Sequence, residues 1–567
     1  MQMLRPQSQA QHFFCMPSCK QCSSAFEVTK EDLAFLEKVS PVFQGEKELI
    51  PPPQLCPDCR LQRRFTFRNE WKLYHRKCDF TGKQMVSVYS PDKPYKVFEQ
   101  QVWWSDAFDP LQYGREYDFG RSFFTQFDVL NRAVPKCAIH NANSENCEYT
   151  NYSAENRNCY LVVGGLGAED CLYSYRVFYS SDCVDCYDLI RCQRCYECSE
   201  SHMLYDCVSC RNCQNSSDLL HCIDCTGCQH CYGCAGLRNK KFHIYNTPFS
   251  EQEYREKVQA LGVIPSSAVQ QDIFKLHLRV PHRFAQIIQS EGSTGDQLLE
   301  CRDCTDCFTF KHSQDCSHCL IGEKSRDCRD CNFCDNCEMQ YNCCNLEKNY
   351  QNICGMFVWY CKDMLYCMNC LNSHHCFGCS GLKKHSYCIL NRQYTKEEYE
   401  EFVPKMIEHM RQSGEWGLYF DPALSPFGYN ESLAHEYFPL TKKDALGRGW
   451  KWFEESQSQE QYFGPAVEIS EHISEVGDDV TRQILRCSIT GKPYKIIPQE
   501  LQFYRTMGIP IPRKCPDQRH KERMALRNPR KLWSRKCQKC GKGIETTYAP
   551  ERPEIVYCEE CYLSTVY

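Results

Sequence analysis

Asp182 to Cys234 reads DCVDCYDLIRCQ, RCYECSESHMLY, DCVSCRNCQNSS, DLLHCIDCTGCQ and HCYGC. The full pieces are 12 residues long. The same cut extends backwards through NCEYTNYSAENR from Asn146, NCYLVVGGLGAE from Asn158 and DCLYSYRVFYSS from Asp170, giving eight units from Asn146 to Lys241. Second positions hold Cys147, Cys159, Cys171, Cys183, Cys195, Cys207, Leu219 and Cys231; fifth positions hold Thr150, Val162, Ser174, Cys186, Cys198, Cys210, Cys222 and Cys234. Eighth and eleventh positions are also small or apolar, and the rest are mixed and often polar. A short fixed period with one recurring inward set describes a solenoid, in which each coil buries its face against its neighbours. So short a coil encloses room for Cys, Ser, Gly or Ala but few large side chains. The stretch therefore predicts a narrow parallel β-solenoid with strands about 4.8 Å apart.

The block occurs twice. Adding 145 carries Cys231, Cys234, Gly236, Leu237 and Asn246 onto Cys376, Cys379, Gly381, Leu382 and Asn391. Coils beginning at Asp303, Asp315 and Asp327 keep the frame. Those from Met339 and Gln351 read as worn, with Gln340 and Asn352 where Cys is expected. Each block ends in a helix start of the capping-box type, Ser250 with Glu253 and Thr395 with Glu398. The second of these helices lines up Tyr399, Phe402, Val403, Met406, Ile407 and Met410, as a helix covering a solenoid end would.

The 47 cysteines need a chemical reading. No apolar run approaches the ~18 residues of a membrane span. The opening MQMLRPQSQAQHFF lacks the layout of a secretory signal, so a cytoplasmic address is expected. There, cysteine favours metal ligation or buried thiols over disulfides.

Metal ligation is expected at both ends. Cys19 and Cys22 form one CxxC pair and Cys56 and Cys59 another. Two such knuckles can surround Zn²⁺ tetrahedrally. An offset of 459 carries Cys56, Arg60, Arg68, Asn69, Lys72, Arg76 and Cys78 onto Cys515, Arg519, Arg527, Asn528, Lys531, Arg535 and Cys537, so the ends read as copies of one module with two ancestral sites. The second copy keeps Cys537, Cys540, Cys558 and Cys561. Elsewhere each copy has lost a set: Cys78, Thr81, Glu99 and Val102 in the first, Cys487, Thr490, Cys515 and Gln518 in the second. Two structural zinc sites are expected, with more if adjacent coils converge, as Cys183, Cys186, Cys195 and Cys198 could.

The other readings of the solenoid thiols stay open here. Cysteines at every third residue from Cys222 to Cys234 resemble cluster ligation but lack the gap before a final Cys-Pro. Intracoil disulfides have only Cys207 with Cys213 and Cys328 with Cys334 to use. The simplest reading is Cys as a small hydrophobe filling a thin core.

Basic residues cluster after each second knuckle. Arg60, Arg63, Arg64, Arg68 and Lys72, interleaved with aromatics, are matched by Arg519, Arg523, Arg527 and Lys531. They suit phosphate contacts with base stacking, hence RNA or DNA as partner; the alternative is a solvated basic face. No catalytic residues are expected: there is no HExxH, no Walker A sequence and no haem motif, and VVGGLGAED lacks the spacing of a dinucleotide loop. Asp170, Asp182 and Asp206 read as turn residues.

The runs CPDCRLQRR, RNEWKLYHRKCD, TGK, YSPDKPYKVF, WWSDAFDP, SPFGYN and PLTKKDAL resemble a family of uncharacterised zinc-ribbon proteins from uncultured, small-genome bacteria. AFEVTKEDLAFLEK, between the first knuckles, resembles the "probable zinc-ribbon" domain type. Such sequences also go under a CaiB/BaiF-type CoA-transferase label, an activity for which the chain offers no residues. The resemblance implies zinc at Cys19, Cys22, Cys56 and Cys59 and no known reaction.

The expectation is an α+β multidomain chain, with duplicated terminal zinc-ribbon modules flanking two narrow β-solenoids of 12-residue Cys-rich coils, each capped by a helix. Its segments are 1–135, 136–290, 291–412, a linker 413–475, and 476–567. The expected function is a non-enzymatic zinc-binding scaffold that meets nucleic acid through its basic modules. The alternatives are thiol-metal storage or redox sensing by the Cys ladders, and a protein-interaction scaffold. Neither a membrane nor a small-molecule substrate is expected.

Overall fold

The computed structural model describes residues 13–311, 322–323, 328–332, 334–335, 338–344, 346–347, 349–454 and 467–566. Most of the coil from Asp315, parts of those from Asp303, Asp327 and Met339, and the residues before Phe13 lie outside the described residues. The chain forms two compact units, 1–138 with 285–453, and 139–284 with 454–567. Each unit contains β-solenoid coils, about 18 turns in all. Among the described residues no helix is long and apolar enough to cross a membrane.

The coils pair in parallel at a register of one repeat: Cys183 opposite Cys195, Cys195 opposite Cys207, Leu219 opposite Cys231. The backbone turns at every third residue. Asp182, Asp185, Asp188, Arg191, Arg194 and Glu197 all have φ between 50° and 57°. Each precedes an inward residue, namely Cys183, Cys186, Leu189, Cys192, Cys195 and Cys198, all fully buried. A left-handed corner costs an L-residue roughly 1–2 kcal/mol, least for Asn and Asp. The abundance of Asp and Asn before Cys follows from that. Interchain-like pairing within the stack offsets the cost: Asp182 N–H donates to Glu169 O at 3.0 Å and Asp185 N–H to Leu172 O at 3.1 Å.

This geometry also explains the cysteines. An inward residue points its own N–H into the core, where the side chain one coil earlier must accept it. Cys186 N–H donates to Ser174 Oγ at 3.0 Å, Leu204 N–H to Cys192 Sγ at 3.5 Å and Cys379 N–H to Cys367 Sγ at 3.4 Å. The thiols in turn donate to carbonyls, as Cys186 does to Val184 O at 3.3 Å and Cys195 O at 3.4 Å. Cys and Ser fit because they are small and can both donate and accept. Gln340 and Asn352, which read as wear, have the same role: Gln340 Oε1 accepts from Asn352 N–H at 3.1 Å, and Asn352 Oδ1 from Met364 N–H at 2.9 Å.

The last coil of each solenoid has no following coil to pair with. Asn246 supplies the missing partners, its side chain accepting from Ala235 N–H at 2.9 Å and donating to Ala235 O at 2.8 Å. Asn391 does the same for Ser380, at 2.9 and 2.7 Å. Both capping boxes form, at the starts of helices Glu251–Leu261 and Lys396–Gln412. The first of these packs Tyr254 with Tyr232 and Ile244. The second buries Tyr399, Val403, Met406, Ile407 and Met410.

In the first unit, helix Phe123–Ala133 places Phe123 against Tyr366 and Phe377 and Phe127 against Phe420, with ring centroids 4.8–5.3 Å apart. The SPFGYN stretch, to which the sequence attached no chemistry, packs on the N-terminal module. Buried Glu431 accepts from Tyr74 Oη and from Lys93 Nζ, each at 2.7 Å. In the second unit, Leu172, Val184, Tyr196 and Val208 form an apolar column on the coils, covered by Ile496, Leu501, Tyr504, Ile509 and Ile511.

Candidate metal centres

Cys19, Cys22, Cys56 and Cys59 bring four Sγ atoms within 4.8 Å of one another, and Cys537, Cys540, Cys558 and Cys561 do the same. In the first centre a tight turn supplies one thiol pair. Ser23 N–H returns to Cys19 O at 2.8 Å, and Ser23 sits at φ 61°. The other pair opens helix Pro57–Thr66, with Cys56 as N-cap, Pro57 in the first turn and Cys59 one turn in. Proline at that position lacks the N–H that would otherwise be unpaired. The second centre is built alike, from a turn closed by Gly541 N–H to Cys537 O at 2.8 Å and from helix Glu559–Val566, which carries Cys561.

In each centre the surroundings favour thiolate at one of the paired sulfurs, Cys56 and Cys537, while the hydrogen bond to Cys56, with burial, acts against it at Cys59 and burial does so at Cys558. The Cys59 thiol donates to Cys56 and, against the opposing effect of burial, draws its pKa down to about 5. At Cys537 burial acts upward, but backbone N–H groups of Cys558, Cys540 and Lys539 outweigh it and bring the thiol to about 6. Zinc binds deprotonated sulfur, so these N–H donors suit it. In both centres one thiol, Cys22 or Cys540, is exposed.

The two incomplete sets keep their turns without four sulfurs. Gly82 N–H closes on Cys78 O and Gly491 N–H on Cys487 O, each at 2.9 Å. Threonine takes over the cohesion: Thr81 Oγ1 donates to Glu99 Oε1 at 2.9 Å, and Thr490 Oγ1 lies 3.8 Å from Cys515 Sγ.

Among the described residues, no other group of three or more ligating side chains converges as these two do. Cys183, Cys186, Cys195 and Cys198 are therefore not a third tetrad of that kind. Their thiols donate to the carbonyls of Ser181, Val184, Gln193 and Tyr196 at 3.2–3.5 Å. Cys207 and Cys213 are free thiols; the side chain of Cys334, in the second expected pair, lies outside the described residues. Burial pushes Cys210 and Cys370 well up and Cys361 to about 12. Where neighbours donate S–H to a sulfur, as Cys159 and Cys183 do to Cys171, that sulfur is drawn down to about 6.

The basic residues are placed differently from a phosphate-binding face. Arg60 and Arg64 lie one helical turn apart and are buried. Arg60 Nε donates to Asp330 Oδ1 at 3.0 Å and Arg64 Nε to Asn332 Oδ1 at 2.6 Å; Arg64 Nη1 lies 3.7 Å from Asp330 Oδ1. Arg68 is buried against Glu70 at 2.6 Å. Arg519 and Arg523, on helix Pro516–Ala525, close on Asp185 at 2.6 and 2.7 Å. Arg519 also takes in Tyr504 Oη at 2.8 Å and Glu500 Oε1 at 3.2 Å. Arg63 is half-buried, 3.7 Å from Asp421. Arg527 stands over the Tyr187 ring at 5.5 Å. Lys72 is half-buried and Lys531 exposed. Guanidinium groups held inside the protein by carboxylates are not open to a nucleic-acid backbone, which removes Arg60, Arg64, Arg68, Arg519 and Arg523 from such a surface.

Asp185 and Asp330 are the residues that sequence reasoning missed. They occupy the same coil position under the offset of 145, just as Arg60 and Arg64 match Arg519 and Arg523 under the offset of 459. Taking the two offsets together would have suggested the pairing. No family model matches the chain, and no curated protein does.

Proposed function

We propose that the chain is a non-enzymatic, zinc-stabilised scaffold for protein interactions, with one structural Zn²⁺ in each terminal module. The observation that carries this reading is the pair of four-sulfur groups. Sulfur–sulfur separations of 3.6 Å for Cys22 and Cys56 and 3.7 Å for Cys540 and Cys558 suit a tetrahedral ion. Zn–S bonds of about 2.3 Å set such separations near 3.8 Å. All four ligands in each group are protein thiols, which leaves no open position for substrate and fits a structural ion.

The ends are read as copies of one ancestral module, each retaining one of two metal sites and replacing the other with threonine-centred hydrogen bonds. The solenoid thiols serve as a metal-free core, because metal ligation would remove the S–H groups that donate to backbone carbonyls. Nucleic acid is not retained as the partner, since the arginines that suggested it are engaged within the protein. A cytoplasmic location and the zinc-ribbon resemblance fit this reading.

Replacing Cys540 with Ala tests it. The expected result is loss of one zinc per chain, with the N-terminal centre still loaded and protease sensitivity confined to residues 467–566. Unchanged metal content would overturn the assignment.

A further inference from the structure

The arginine–aspartate cluster of the second unit is a recognition site in its own right. The solenoid contributes Asp185, set among Val184, Tyr196 and Val208, with Glu197 one coil on within electrostatic reach of both arginines. The C-terminal module contributes Arg519, Arg523 and Glu500. Asp185 and Glu500 are fully buried and the arginines nearly so. The contacts are directional. Both Asp185 oxygens are taken by separate guanidinium groups, Arg523 Nη2 reaches Tyr173 O at 3.1 Å, and Tyr173 Oη donates to Glu500 Oε2 at 2.9 Å. An apolar column with two acids beside it has little use in water. It fits a partner that presents an apolar face around paired guanidinium groups.

We infer that the Asp185 coil face is an acceptor for a C-terminal module whichever copy of the chain supplies it, so that two copies can exchange modules. The donor and acceptor stand 334 residues apart in sequence. The identical contacts can therefore form between copies, and concentration decides which arrangement is populated. The face is selective for the C-terminal module. Arg64 of the N-terminal module is matched to Asn332 and to Asn342. The positions 145 residues earlier in the other solenoid are Tyr187 and Glu197, which do not reproduce those two amide oxygens.

Two full-length variants test the inference, Asp185→Arg and Arg519→Glu/Arg523→Glu, examined alone and mixed, by native mass spectrometry with metal content recorded. Each breaks its own docking, but the intact module of the first fits the intact face of the second. The expected result is a one-to-one heterodimer on mixing that forms with neither variant alone. Variants that keep two metals per chain yet stay apart when mixed would overturn the inference. Should either variant aggregate, the neutral pair Asp185→Asn and Arg519→Gln/Arg523→Gln is mixed in the same way. A one-to-one heterodimer supports the inference, and two-metal chains that stay apart overturn it.

Discussion

Arg519 Nη1 donates to Asp185 Oδ2 across 2.6 Å, with both side chains removed from water. An isolated buried charge is far more costly than a paired one, so removing one partner should cost about 3–5 kcal/mol. Asp185→Asn is therefore expected to lower the stability of the second unit by that amount, read as a shift in urea midpoint. Asp330→Asn should act on the first unit in the same direction. Replacing Asp185, Glu500, Arg519 and Arg523 together with apolar residues should be much milder, because no fully buried charge of the cluster is left unpaired.

The inward thiols make a second prediction. Cys367 donates to Leu365 O at 3.4 Å and accepts from Cys379 N–H at 3.4 Å. Cys367→Ser keeps both roles and should cost about 1 kcal/mol or less, as the natural Ser174 and Ser201 suggest. Cys367→Ala leaves the buried Cys379 N–H unpaired, worth about 1–3 kcal/mol, while Leu365 O keeps the Gly378 N–H at 2.8 Å. The comparison is read by thermal unfolding of the two variants side by side. A larger loss with Ser than with Ala would contradict the hydrogen-bonding account of the core.

The left-handed corners can be tested where the side chain is exposed. Met203 has φ 52° and is 48% exposed. Asn tolerates this conformation better than an unbranched apolar residue. Met203→Asn should raise stability by about 0.5–1 kcal/mol, measured by urea unfolding.

A pH dependence follows from the second unit. His277 is buried, 3.3 Å from Arg211 Nη2, which donates to its Nε2, and its ring centroid lies 4.2 Å from that of His282. Burial, with the charges of His282, Arg211 and Arg552 adding to it, holds the His277 pKa down to about 2. The unfolded chain takes up this proton near the ordinary histidine value of about 6.5, and the folded one does not. The contribution is thus fully present above that pH and is lost as pH falls below it, by about 1.4 kcal/mol per pH unit. His277→Gln keeps an acceptor for Arg211 and should flatten the fall in melting temperature between pH 6.5 and 5.

The parts of the fold that were legible in the sequence are the local ones. The 12-residue period fixed the inward set, and Cys183, Cys195 and Cys207 indeed pair across successive coils. The CxxC pairs identified both tetrads, because a knuckle carries its geometry within four residues. The capping boxes at Ser250 and Thr395 were equally local. The left-handed corners were visible only as Asp and Asn before Cys, since Arg191 and Met203 adopt the same conformation without advertising it. The role of Gln340 and Asn352 was hidden because composition alone does not show an N–H pointing inward. The arginines were misread for a related reason: a basic cluster looks solvated until its acid is found, and Asp330 lies 270 residues from Arg60.

The central claim is that two four-thiol centres hold metal while the solenoid thiols remain metal-free. Elemental analysis with thiol titration, on protein purified without oxidant, tests it most directly. The account predicts two zinc ions per chain. With eight of the 47 cysteines ligating and none in disulfides, all 47 should titrate as free thiols once the protein is unfolded and its two zinc ions are released to chelator. Metal well above two per chain, or iron with acid-labile sulfide, would contradict the claim and make the thiol ladders the functional site.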